Sequence, residues 1–137
     1  MNKNYFLILL AFAALTSPVF AQDVRQSTLN WQSGKNINQT DNTMTEYVCS
    51  FTTVADQKIN WLQQNGSNVT TYTVNSVDGS WTNVAAEGQV VYHVTSDQLS
   101  GDFTFVRSGG TISLHVKLNL NGTPNFDFVF LIDSVTP

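Results

Sequence analysis

The side chains in this 137-residue sequence that could do chemistry are few: His93 and His115, Cys49, scattered carboxylates, and Trp31, Trp61 and Trp81. Both histidines fall on the polar faces of alternating segments. In a sequential antiparallel order the segment 100–107 lies between them, which sets their strands about 9.5 Å apart. A zinc ion bonded at about 2.1 Å to each ligand does not span that gap. They read as solvated surface histidines, and no metal site is expected. Asp102, Asp127, Asp133 and Glu87 are the candidates for a catalytic carboxylate pair. Asp127 and Asp133 are six residues apart on one strand, about 20 Å, whereas glycoside hydrolysis needs roughly 5–9.5 Å. Flanking the apolar run Val129–Ile132, the two read better as gatekeepers against aggregation.

Other signatures fail on spacing. Ser33-Gly34-Lys35-Asn36 contains a Gly-Lys pair, but Leu29 stands where a phosphate-cradling loop needs its first glycine, and Asn36 where it needs Ser or Thr. Neither a Gly-x-Ser-x-Gly elbow nor a His-Glu-x-x-His pair occurs. A Ser–His–Asp set drawn from so serine-rich a surface carries no geometric information. No catalytic residue and no cofactor is assigned.

Cys49 lies within Tyr47-Val48-Cys49-Ser50-Phe51 and shares a face with the two rings. It reads as a small buried thiol. As the sole cysteine it allows no disulfide within the chain. The tryptophans fall near the ends of their segments or in turns. There they could form a flat platform for a sugar or peptide, with Asn, Gln and Thr side chains around them. The favoured reading is that they plug the ends of the core, each indole N–H bonded to a nearby carbonyl. Trp31, Trp61 and Trp81 are nonetheless the candidate ligand or partner contacts.

The elements that carry these residues have a period of two. In 111–120, Ile112, Leu114, Val116, Leu118 and Leu120 face one way and Thr111, Ser113, His115, Lys117 and Asn119 the other. Asn121-Gly122 favours a tight hairpin into 125–135, where Phe126, Phe128, Phe130 and Ile132 share a face. Similar strands are expected at 28–32, 46–54, 57–63, 67–77, 88–95 and 100–107, with a short piece at 80–84. Turns are signalled at Asn65-Gly66, Asp78-Gly79, Ser96–Gln98 and Ser108–Gly110. The polar stretch 33–45 reads as a long loop or a lid over one end. Eight or nine strands with short connections imply a meander. A meander leaves two edges unless it closes, so an up-and-down β-barrel is favoured over a two-sheet β-sandwich.

Residues 1–21 have the three parts of a secretory signal peptide: Lys3, the apolar run Tyr5–Leu15, and Val19-Phe20-Ala21 as a cleavage site. The run is about half the length of a spanning helix. The expectation is a single exported domain over 22–137, secreted or periplasmic, with no membrane span after cleavage. The formal charge of −4 becomes −5 without Lys3. That argues against nucleic acid and anionic membrane as partners. Thr, Asn, Ser and Gln supply 51 residues, so the polar surface is mostly uncharged. Asn38, Asn65, Asn68 and Asn121 each head an Asn-x-Ser/Thr triplet, which matters only where the producing cell glycosylates asparagine.

A leader, one domain of this size and about eight meandering strands resemble the calycin group of secreted barrels, which includes the lipocalins. The usual first-strand Gly-x-Trp is replaced here by Leu29-Asn30-Trp31, and Gly79-Ser80-Trp81 has its letters mid-chain. No family residue is carried over. An eight-stranded barrel either fills with side chains or holds one small ligand. The inward set, Tyr47, Phe51, Trp61, Tyr72, Tyr92, Phe103, Phe105, Phe126, Phe128 and Phe130, favours filling. The resulting expectation is a secreted, non-enzymatic barrel that binds a small apolar molecule or a partner. A surface-interaction module (an inhibitor, adhesive or glycan-binding sandwich) is the alternative. A hydrolase with a site not visible in sequence is the third reading.

Overall fold

Each strand of the chain pairs antiparallel with the next, and the last pairs with the first. The computed structural model describes residues 22–137; the expected signal peptide, 1–21, lies outside the described residues. The strands are β1 (Thr28–Asn38), β2 (Met44–Val54), β3 (Lys58–Gln63), β4 (Asn68–Asp78), β5 (Gly88–Ser96), β6 (Leu99–Ser108), β7 (Thr111–Leu120) and β8 (Thr123–Thr136). They close in sequence order into a barrel. The seam runs from Asn30 opposite Thr136 to Asn38 opposite Phe128. Closure leaves no strand edge unpaired, which settles the choice between barrel and sandwich.

The tight turns follow the residues that tolerate positive φ. Asn121 and Gly122 adopt φ of 51° and 81° between the paired Leu120 and Thr123. Gly109 and Gly110 do the same, at 59° and 80°, between Ser108 and Thr111. Both are two-residue hairpins in which the φ signs match strand twist.

Three expectations need correction. The expected loop 33–45 is mostly strand. β1 runs on to Asn38 and β2 starts at Met44, leaving only 39–43 as a turn. Alternation fails there because the register slips between Ser33 and Lys35, and because the inward residues, Ser33 and Asn36, are polar yet buried. The expected strand 80–84 is instead part of the 79–87 loop, and Asp78-Gly79 opens that loop rather than a tight hairpin. Finally, Trp31 and Trp61 lie within β1 and β3 rather than at their ends; only Trp81 is in a loop.

The interior holds two groups of contacting rings set among buried aliphatic side chains. Trp31 meets Phe105 at 4.5 Å and Trp81 at 5.8 Å between centroids. Tyr92 meets Phe105 edge-on. Phe51 contacts Trp61, Phe103 and Phe130, and Tyr72 contacts Phe103. Phe51, Trp61, Tyr72, Tyr92, Phe103, Phe105 and Phe130 are buried. Tyr47, Phe126 and Phe128 are partly buried against them. Burying each aromatic contributes several kcal/mol in order of magnitude, so packing supplies the stability that no disulfide provides. At Gly101 the wall of the barrel closes in: a Cβ would stand 1.9 Å from the Lys117 carbonyl oxygen. Only glycine fits an inward position where two strands approach so closely.

Candidate functional site

The barrel has two different ends. At the end formed by the N-terminal segment, the 79–87 loop and the β6–β7 hairpin, the chain builds a cap. Val24 is fully buried, and its backbone N–H donates to the Trp81 carbonyl at 2.9 Å. Arg25 Nη1 donates to the Gly79 carbonyl at 3.0 Å, and Arg107 Nε to the Val84 carbonyl at 2.9 Å. Trp81 lies beneath, its indole N–H donating to the Ala86 carbonyl at 2.9 Å. This end is closed by the chain itself.

The three tryptophans are 0, 7 and 2 % exposed for Trp31, Trp61 and Trp81. None presents a platform to solvent. Trp81 plugs one end with its indole on a carbonyl, whereas Trp31 and Trp61 are buried within strands rather than at the core's ends. Trp31 donates to Thr53 Oγ1 at 3.0 Å inside the barrel. Trp61 differs: its Nε1 is the buried side-chain polar atom left without a hydrogen-bond partner among the described residues. Cys49 is also buried. Desolvation pushes its thiol up to about 11.

At the opposite end lies a groove of about 570 Å³. Its lining combines Asn38, Lys117, Asn119, Asn125, Asp102 and Asp127 with Phe126 and Phe128. The two rings stack on each other at 4.2 Å, 24° from parallel. Local chain features set this arrangement. β7 and β8 slip register between Leu118 and Asn119, so that Asn119 faces Pro124 and Asn125 bulges out of the ladder. The β1–β2 turn docks alongside, with the Gln39 N–H donating to the Asp127 carbonyl at 3.0 Å.

The outer wall beside the groove carries a charged row. Asp102, Lys117 and Asp127 are successive cross-strand neighbours on β6, β7 and β8. His93 pairs in register with Asp102. Its Nδ1 meets Asp102 Oδ1 at 2.6 Å and its Nε2 meets Asp78 Oδ2 at 2.6 Å. The hydrogen bond to Asp78, then that to Asp102, holds the imidazole above its ordinary pKa. With a carboxylate at each nitrogen, the doubly protonated ring is the form that satisfies both. His115 Nε2 meets Asp127 Oδ1 at 2.5 Å. The histidines are thus surface residues, as expected, but each is tied to carboxylates. The two sit on strands separated by β6. Among the described residues no group of three or more His, Cys, Asp or Glu side chains could hold a metal ion.

The sequence reading missed the histidine–aspartate contacts and the groove. The first was within reach: a two-residue turn at Asp97-Gln98 places His93 opposite Asp102 by counting outward from the paired Ser96 and Leu99. The second was not, because it depends on the bulge at Asn125 and on the extension of β1 past Ser33.

Among the described residues no helix is long and apolar enough to cross a membrane. No family model, curated protein or solved structure matches the chain, so the fold is established by the chain's own geometry and no family is assigned.

Proposed function

We propose that the chain is an exported, non-enzymatic binding module that engages its ligand or partner at the groove lined by Phe126 and Phe128, rather than inside the barrel. One contrast supports this reading. The interior is filled by two groups of contacting rings, one around Trp31 and Phe105 and one around Phe51, with buried aliphatic side chains among them, which supports a filled core over an internal ligand site. The groove opens at the far end, where the half-buried Phe126 and Phe128 meet polar residues of the rim, the composition of a binding site. The tryptophans then serve the scaffold. The histidine–aspartate contacts lack a nucleophile hydrogen-bonded to the imidazole, which a triad mechanism requires. Export rests on residues 1–21, and predicts a mature N-terminus at Gln22 by mass spectrometry.

The test is amide chemical-shift mapping of the ¹⁵N-labelled protein against the concentrated extracellular fraction of the producing cells. Shifts are expected to cluster at 101–102, 117–119 and 124–128. Shifts centred on Phe51, Phe103 and Tyr92 would overturn the reading.

A further inference from the structure

We propose that the outer face of β1 and β2 is the contact surface of a homodimer, in which two copies lie face to face about a two-fold axis running between these strands.

Apolar exposure is concentrated here. Among the described residues four large apolar side chains are exposed: Met44, Val48, Val69 and Leu120. Val48 is the most open at 72 %, and Met44 follows at 57 %. Both lie on β2, whose buried inward positions are Cys49, Phe51 and Thr53. Alternation therefore turns Met44, Glu46 and Val48 outward. Met44 stands opposite Ile37 on β1, and Ile37 opposite Val129 on β8, which carries the apolar row across three strands. Exposed apolar side chains gathered in one place and rimmed by polar groups mark a contact with another molecule.

The face is complementary to itself. Lys35 and Glu46 are directly opposed across β1 and β2 and both are exposed. Among the described residues neither takes part in an ion pair. A two-fold axis parallel to the two strands keeps each residue at its own level and exchanges β1 with β2. Lys35 then faces Glu46 of the second copy, and Ile37 faces Met44 of the second copy. Between the Ser33–Cys49 and Lys35–Glu46 pairings lies Gly34 on β1, with Tyr47 and Val48 across from it on β2. Val48 therefore projects onto Gly34 of the second copy, where no side chain obstructs it. One operation thus satisfies opposite charges, an apolar pair and a projection over a gap, as an isologous contact requires. Burial of Met44, Ile37 and Val48 supplies the attraction. The exposed ion pairs contribute little energy but fix the register. Rotation about such an axis preserves strand direction. The tilt of barrel strands splays the two copies, and both open ends fall on the same side of the dimer.

The experiment is sedimentation velocity across a concentration series, on protein purified from cells expressing the full chain. Wild type is expected to sediment as a reversible dimer. Val48→Asp, Lys35→Glu and Glu46→Lys are each expected to raise the dissociation constant about tenfold or more. An equimolar mixture of Lys35→Glu and Glu46→Lys restores opposite charges at both ion pairs, and is expected to dimerise at concentrations where neither variant does alone. Retention of the wild-type thermal transition in the three variants separates lost association from lost folding. A wild type that is monomeric at every concentration overturns the inference. So does a dimer that all three substitutions leave intact, or a mixture of folded variants that stays monomeric. A monomeric wild type whose Met44 and Val48 amide signals move on addition of the extracellular fraction would give the face to a foreign partner instead.

Discussion

The indole of Trp81 lies directly against the backbone of Gly88, so closely that a Cβ at Gly88 would stand 2.2 Å from the ring. The absent side chain is what lets the 79–87 loop fold its tryptophan into the barrel end. Gly88→Ala is therefore expected to displace Trp81 and to destabilise the protein by about 1–3 kcal/mol, the usual cost of overpacking. Denaturant unfolding followed by tryptophan fluorescence measures it. Gln89→Ala, at an exposed neighbouring position, is expected to stay within about 0.5 kcal/mol of wild type. Equal stability of Gly88→Ala and wild type would contradict the packing of this cap.

Trp31 and Thr53 form a hydrogen bond inside a mainly apolar core, with Thr53 fully buried. Thr53→Val leaves the indole N–H without an acceptor and is expected to cost about 1–3 kcal/mol. Trp31→Phe also removes packing area. The coupling is read from the double variant, which is expected to lose less than the two single losses added together, since removing both polar partners leaves nothing unsatisfied. Strict additivity would show that the bond contributes nothing.

Burial raises the Cys49 thiol to about 11. At pH 8 a thiol so placed is almost wholly protonated, and it is shielded as well. The expected result with a disulfide exchange reagent is no reaction in the folded protein and one equivalent on unfolding. Reaction of the native protein at the rate of a free thiol would contradict the placement.

His93 is held above its ordinary value of about 6.5 by Asp78 and Asp102. A raised folded pKa means the protonated form is favoured by folding. Its contribution is fully present below the unfolded pKa and fades as pH rises through the folded pKa. His93→Gln is expected to remove that pH dependence, so wild type and variant converge in stability at alkaline pH and separate near pH 6. The ring is largely solvent-screened, so the separation is small. Thermal unfolding across pH 5–9 reads it, and a wild-type His93 titrating below 6.5 by NMR would refute the sign.

Much of the barrel was legible because alternation is a local signal. In β7 every second residue from Ile112 to Leu118 is buried, and Asn121-Gly122 fixes the hairpin that follows. The second half of β1 was not, because a slip in register puts two buried polar residues, Ser33 and Asn36, out of step. The 79–87 loop was misread because Trp81 imitates a strand residue while being held by Gly88 and Ala86. The groove lay further out of reach. It is assembled from the β1–β2 turn, the far ends of β6, β7 and β8, and a bulge at Asn125, which closure of the barrel brings together and no local period announces. The tryptophans drew notice as surface chemistry because their residue type is informative, whereas their facing is set by the closed sheet.

The central claim is that the interior is filled and the ligand meets the far end. Fluorine NMR of the protein labelled with 4-fluorophenylalanine tests it directly. Addition of the extracellular fraction is expected to move the Phe126 and Phe128 resonances and leave Phe51, Phe103 and Phe105 in place. Addition of palmitate, a probe for an internal apolar site, is expected to move none of the five. Palmitate-dependent shifts at Phe51, Phe103 and Phe105, with Phe126 and Phe128 silent to the extracellular fraction, would contradict the account.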